Sequence, residues 1–185
     1  MNTNDAHSSG IACATDAELA RARAGDAAAF AALVLAHQKM VYTLSLRLLG
    51  ARELAEDLSQ DVFLRLHRSL HDIESARHLV FWLRRVTTHR AIDRLREPRL
   101  QTATLDLALE VPAGGVERDP LLHRELERVL ADLSPAARAV LLLRYQEDMD
   151  PMEIAQTLEL PLNTVKSHLR RSLATLREQL GERTA

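Results

Sequence analysis

The chain has 185 residues, 26 acidic and 24 basic side chains, and a formal net charge of −2 at pH 7, with 46% hydrophobic and 27% charged residues. That is the make-up of a globular protein, and it excludes one uniformly basic nucleic-acid face. The longest uncharged run, Ala27 to Gln38, is twelve residues, short of the about 20 that a membrane span needs.

The N-terminal "MNTNDAHSSG" lacks the basic-then-apolar order of a secretory signal. Cys13 is the single cysteine and has no internal disulfide partner. A cytoplasmic protein with no membrane insertion is expected. Charge is segregated along the chain. Residues 51–74 carry net −3, 84–99 net +4, 101–120 net −3 and 160–185 net +3, while 146–159 hold five acids and no base. Blocks of alternating sign suggest several contact surfaces.

No stretch alternates apolar and polar residues in the manner of a strand, so the expected fold is all-α. Residues 1–15 read as a loose polar tail. A short helix over "DAELARARA" should stop at Gly25, and Asp26 can cap the next one. In that long helix Phe30, Leu33, Val34, His37, Met40, Val41, Leu44 and Leu48 form one stripe, and Gly50 closes it. His37, inside the stripe, reads as a core histidine. The helix over about 51–70 should bury Leu54, Leu58, Val62, Leu66 and Leu70. Its opposite face presents Glu53, Glu56, Asp57 and Gln60 with Leu64 and His67 alongside. A solvated face rarely holds a leucine in that company. After a loop at 71–75 a third helix runs to about Arg96, and its apolar stripe shifts near Thr87 and Thr88, which suggests a kink or a contact on two faces.

These helices make one predicted domain, 16–99. Residues 100–118, with Pro112, Gly114 and Gly115 and no sustained period, read as a flexible linker. A second helical domain is expected over 119–185. Three cap-proline pairs start its helices: Asp119-Pro120, Ser134-Pro135 and Asp150-Pro151. Asp150 with Glu153 fits a capping box. Pro151–Leu158, a turn at Glu159-Leu160-Pro161 and Leu162–Leu180 then form a helix-turn-helix. Glycine commonly occupies such a turn. Glu159 stands in its place here, so either it tolerates the left-handed region at about 1 kcal/mol or the turn differs. The long helix buries Leu162, Val165, Leu169, Leu173, Leu176 and Leu180. Asn163, Thr164, Ser167 and Arg171 face away, with Lys166, Arg170 and Arg177 on one flank. Amide, hydroxyl and basic groups on one exposed helix face suit the DNA major groove.

Three stretches together resemble a known family. "AEDLSQDVFLRL", "FWLRRVTTHRAIDRLR" and "MEIAQTLELPLNTVKSHLRR" are similar, in that order, to the core-binding, melting and −35-reading regions of extracytoplasmic-function (ECF) sigma factors. The resemblance covers about residues 16–180. It implies a transcription initiation factor that binds core RNA polymerase through the β′ clamp and the β subunit, and recognises −10 and −35 promoter DNA. It also implies an anti-sigma regulator. By the same resemblance Asp57, Gln60, Asp61 and Leu64 meet polymerase. Loop residues His71, Asp72, Glu74 and Ser75 capture a flipped −10 base, and Trp82, Arg84, Arg85, Arg90 and Arg94 line the path of the opened strand. Arg84 stands where relatives often carry tyrosine. Asn163, Thr164, Lys166, Ser167, Arg170 and Arg171 fall at the −35-reading positions.

Two other classes compete. A conventional helix-turn-helix regulator would bind duplex DNA without polymerase, and leaves the acidic face at 53–61 unexplained. An enzyme or metal protein could use His67 and His71, four residues apart. The chain has no HExxH, no GxxxxGK and no cysteine pair, so no catalytic residue, metal or cofactor is expected.

Overall fold

The computed structural model describes residues 15–97 and 120–181, without the side chains of 120–125 and 180–181. The expected linker, the Asp119 cap and nearly all of the expected tail lie outside the described residues. Eight α-helices and one short 3₁₀ turn make up the fold, with no strand among the described residues.

α1 (Asp16–Arg23) starts at Thr15, a residue assigned above to the tail. The Thr15 hydroxyl accepts from the Glu18 amide at 3.2 Å, and Glu18 accepts from the Thr15 amide at 2.9 Å, a complete capping box. Gly25, at φ +90°, turns the chain. Asp26 then caps α2 (Ala27–Leu49) by accepting from the Ala28 and Ala29 amides at 2.9 and 3.1 Å. The Ala29 hydrogen bond first, then the Arg21 guanidinium 2.5 Å away, hold the Asp26 carboxyl below its ordinary pKa. Gly50 ends α2 in the left-handed region, where a β-carbon would be strained.

α2 is the central element. Leu33, His37, Val41, Leu44 and Leu48 are buried as the stripe predicts, while Phe30 and Met40 pack against the core partly exposed. With a mean hydropathy of 1.3 it is also long and apolar enough to cross a bilayer, although its uncharged run is short. In this fold α2 packs against α1, α3 and α4. α3 (Arg52–Ser69) buries Ala55, Leu58, Val62 and Leu66, whereas Leu54, expected inside, is half-buried. The 3₁₀ turn (Leu70–Asp72) leads into α4 (Ala76–Arg96).

The other half contains α5 (Pro120–Asp132), α6 (Pro135–Tyr145), α7 (Pro151–Leu158) and α8 (Leu162–Gly181). Ser134 and Asp150 cap α6 and α7 with proline in the first turn. α6 is the hub, with Ala139, Val140 and Leu143 buried against α7 and α8.

The two halves are packed together. α4 lies against α6 and α7, α2 touches α6, and one apolar cluster runs from Leu19 to Val165. This agrees with the shifted stripe of α4: Leu79, Leu83, Thr87 and Ala91 are buried, and so is Thr88, next to His89, whose ring meets the Thr157 carbonyl of α7. Ser45, Leu46 and Leu49, off the predicted stripe of α2, are buried as well. Arg138 ties the halves. Its guanidinium donates to the carbonyls of Leu130, Ala131 and Leu48 at 2.8, 2.6 and 2.7 Å, at the ends of α5 and α2. Carbonyls in a last helical turn lack partners within the helix; of the three, Leu130 also accepts from the Leu133 amide at 3.3 Å. Burial lowers the Arg138 pKa, partly offset by Asp132.

Candidate functional site

The first surface is the outer face of α3. Burial of Leu58, Val62 and Leu66 turns Asp57 and Gln60 outward, and Leu64 beside them is 60% exposed. Asp61 differs from its neighbours. It is half-buried and accepts from Arg65 at 3.0 Å and Arg90 at 3.4 Å. Burial acts to raise its pKa, but the two guanidiniums outweigh that and hold the carboxyl below its ordinary value. The structure therefore brings Asp57, Gln60 and Leu64 together and joins Asp61 to α4.

The second surface is the 70–75 loop with α4. His71, Asp72 and Glu74 are exposed. Ser75 is committed elsewhere: its hydroxyl accepts from the His78 amide at 3.1 Å and caps α4. Asp16 accepts from the Ala76 amide at 2.7 Å and the Glu74 amide donates to His78 Nδ1 at 3.2 Å, which fixes the loop where it enters α4. Trp82 is partly buried against the core and also lines a cleft of about 320 Å³ between α3 and α4. Arg65, Arg68, Arg85, His89 and Arg90 line the same cleft. Arg65, Arg68 and His89 were not singled out from the sequence. Basic residues recur at helical spacing on both helices, but only the α3–α4 crossing brings them to one place.

The arginines expected to line a DNA path are all engaged within the chain. Arg84 pairs with Glu147 at 2.9 Å and Arg85 with Glu159. Arg90 pairs with Asp61, and Arg94 donates to the Leu54 carbonyl at 3.1 Å.

The third surface is the helix-turn-helix. Asp150 and Glu153 complete a capping box at the start of α7. Glu159 ends that helix at φ 54°, so it takes the left-handed conformation that glycine would supply. The Leu160 amide donates to the Ala155 carbonyl at 3.0 Å and closes the turn. Val165 is fully buried and sets the rotation of α8. Asn163, Lys166, Arg170 and Arg171 are exposed, and Thr164 and Ser167 are half-buried beside them.

Known proteins match the stretches of chain that carry these surfaces. The model of Sigma-70 region 2 matches residues 33–100, which hold the α3 and α4 surfaces. The model of Sigma-70 region 4 matches residues 123–176, which hold the helix-turn-helix. The ECF RNA polymerase sigma factor SigW of Bacillus subtilis is 30% identical over 172 residues, covering 85% of this chain and 92% of that protein. The chain belongs to the ECF sigma factors. SigK of Mycobacterium tuberculosis, another ECF sigma factor, is 30% identical over 178 residues, 89% of this chain and 92% of the other. Two solved structures share the fold. The sigma factor RpoE, in complex with the anti-sigma factor NepR from Bartonella quintana, superposes with a TM-score of 0.66 at 19% identity, over 82% of this chain and 96% of that one. CnrH, in complex with the cytosolic domain of CnrY, gives 0.65 at 24% identity, over 91% and 98%.

As an ECF sigma factor the protein directs RNA polymerase to specific promoters and initiates transcription there. The region 2 match removes the conventional regulator as an alternative, because that reading had no use for the α3 face.

Proposed function

We propose that the three surfaces divide the work of promoter recognition, within domains at 16–99 and 119–185. Asp57, Gln60 and Leu64 on α3 form the contact with the β′ clamp of core polymerase. The observation that carries this is Leu64, 60% exposed beside an acid and an amide on a helix whose apolar stripe is otherwise complete. The leucine supplies apolar area, the carboxylate pairs with basic clamp residues, and Gln60 both donates and accepts. Asp61 serves by holding Arg65 and Arg90 in place.

The α3–α4 cleft takes the opened strand. Its guanidiniums bind the phosphate backbone, and Trp82, partly exposed, lines the same place. His71, Asp72 and Glu74 lie where the loop meets the unstacked −10 bases, and Ser75 holds that loop as a cap. On α8, Asn163, Arg170 and Arg171 meet the −35 major groove, with Lys166 on the backbone. The work is done by binding free energy, with no catalytic step, metal or cofactor, and in the cytoplasm where polymerase acts. In one of the similar structures the sigma factor RpoE is bound to the anti-sigma factor NepR, and an anti-sigma protein is the expected regulator here.

Run-off transcription with core polymerase on a promoter library tests the reading. Selection of a defined pair of promoter elements is expected. Asp57→Ala with Gln60→Ala should lower core affinity at least tenfold while circular dichroism stays unchanged. Undiminished affinity would remove the α3 face from the polymerase contact.

A further inference from the structure

The 70–75 loop keeps its apolar anchors inside and its polar side chains outside. Leu70 and Ile73 are buried, while His71, Asp72 and Glu74 are exposed. Its backbone is held at each end by α1. At the start Arg23 Nε donates to the Leu70 carbonyl at 3.3 Å, 47 positions away. Past the end Asp16 Oδ1 accepts from the Ala76 amide at 2.7 Å, 60 positions away. Asp16 and Arg23 are the first and last residues of α1. They are nearly two turns apart, so both leave the helix on one face, about 10 Å from each other along its axis. α1 is itself held firmly. Leu19 and Ala22 bury against the core, the Thr15–Glu18 capping box fixes its first turn, and Arg21 bonds Asp26 at its last.

We infer that α1 is a bracket for this loop: Asp16 and Arg23 are positioning residues that set which −10 base the loop accepts. This rests on the −10 role proposed above for the loop. Both residues lie ahead of residues 33–100, the stretch that matches Sigma-70 region 2.

An acid in the first turn and a base in the last also suit the helix dipole. Glu18 and Arg21 serve the dipole equally and bond Thr15 and Asp26, so the dipole does not account for the two ties to the loop. The loop's local bonds are of another kind. The Ile73 amide donates to the Leu70 carbonyl at 3.4 Å, and the Ser75 hydroxyl accepts from the His78 amide. These shape the loop and join it to α4, whereas the α1 ties set where its two ends stand relative to each other. A loop with loose ends takes several shapes, and ordering it on binding costs affinity. Specificity is the difference between the affinities for the right and the wrong base. A loose frame lets the loop adapt to a wrong base and narrows that difference. Attachment to the promoter suffers less, because α8 and polymerase also supply it.

Run-off transcription by the full chain with core polymerase, on one promoter library randomised at −10 and another at −35, tests the idea. Five variants are compared with wild type: Asp16→Ala/Arg23→Met; Asp16→Ala; Asp16→Asn; Arg21→Ala; and His71→Ala/Asp72→Ala/Glu74→Ala. The Asp16/Arg23 variant should lose about fivefold in discrimination at a −10 position, the equivalent of one ordinary hydrogen bond. Its −35 profile and its affinity for core polymerase should stay as in wild type. Asp16→Asn, whose amide oxygen still accepts from Ala76, and Arg21→Ala, which leaves both ties in place, should keep the wild-type −10 preference. If the double variant does not fold, Asp16→Ala, at an exposed side chain, is read by the same criteria. An unchanged −10 preference there, with an altered one in the His71/Asp72/Glu74 variant, overturns the bracket and leaves the role of the loop standing. An unchanged preference in the His71/Asp72/Glu74 variant overturns both. Equal flattening in Arg21→Ala, or a parallel change in the −35 profile, also overturns the bracket, since a general loosening of the fold would then explain it.

Discussion

His37 shows how a single side chain couples to its surroundings. It is buried in the apolar stripe of α2, and its Nε2 has no hydrogen-bond partner among the described residues. Burial first, and the nearby positive Arg84 second, hold its pKa below the ordinary value of 6.5. The unfolded chain therefore takes up a proton that the folded chain refuses. Stability is unaffected well above pH 6.5 and falls as pH drops below it, until the lowered folded pKa is reached. The slope cannot exceed about 1.4 kcal/mol per pH unit for one group. Urea midpoints at pH 7.5 and 5.5 should fall more for wild type than for His37→Leu. Parallel pH dependence in the two proteins would exclude His37 as the source. At the same scale, Asp61 shows that neighbouring acids on one helix take different work: Asp57 faces solvent, while Asp61 is consumed by Arg65 and Arg90.

At the scale of the element, α8 owes its usefulness to its rotation about its own axis. Val165 is fully buried, with Leu162 and Leu169 packed partly against the same core, and this fixes which side chains point outward. Among the described residues, no ion pair engages Lys166, Arg170 or Arg171. The two kinds of cation should be separable. Arg170→Ala should cost about 1–3 kcal/mol at a guanine contact and relax preference at one −35 position. Lys166→Ala should lower activity evenly over all −35 variants and reduce the salt dependence. Transcription profiles over a −35 library distinguish them, and profiles unchanged by both substitutions would take α8 out of the groove.

At the scale of the molecule, the two halves are held by charge and hydrogen bonding as well as by apolar area. Arg138 is central to this. Its three carbonyl partners belong to α2 and α5, so one side chain closes the ends of two helices on opposite sides of the junction. Arg138→Met preserves the apolar stem and removes the donors. The Leu48 and Ala131 carbonyls then lose this partner, while Leu130 keeps the Leu133 amide, at a cost of roughly 3 kcal/mol. For a chain of this size that is on the order of 6–12 °C in Tm. A loss under about 1 kcal/mol would mean that the carbonyls are satisfied in another way. Expansion of the chain without loss of Tm would assign Arg138 to docking of the halves rather than to the stability of either.

The helices, their caps and their buried stripes were largely readable in the sequence, because each depends on residues within a few positions of one another. Asp26, Ser134 and Asp150 cap the helices that their spacing assigns to them, and Asp57, Gln60 and Leu64 lie exposed opposite the stripe. Glu159 is an intermediate case: its position marked a turn, but only the fold selected the left-handed conformation over a different turn. What the sequence left open concerns contacts between residues far apart in the chain. Independent halves on a flexible linker would have left Arg84, Arg85 and His89 open to solvent, yet they meet Glu147, Glu159 and Thr157, between 63 and 74 positions away. Nothing in its local sequence distinguishes Arg138, and it bonds a carbonyl 90 positions distant. Helical periodicity reports which face of a helix is apolar. It carries no record of which polar groups on two such faces will be brought within 3 Å, since that depends on how the helices cross.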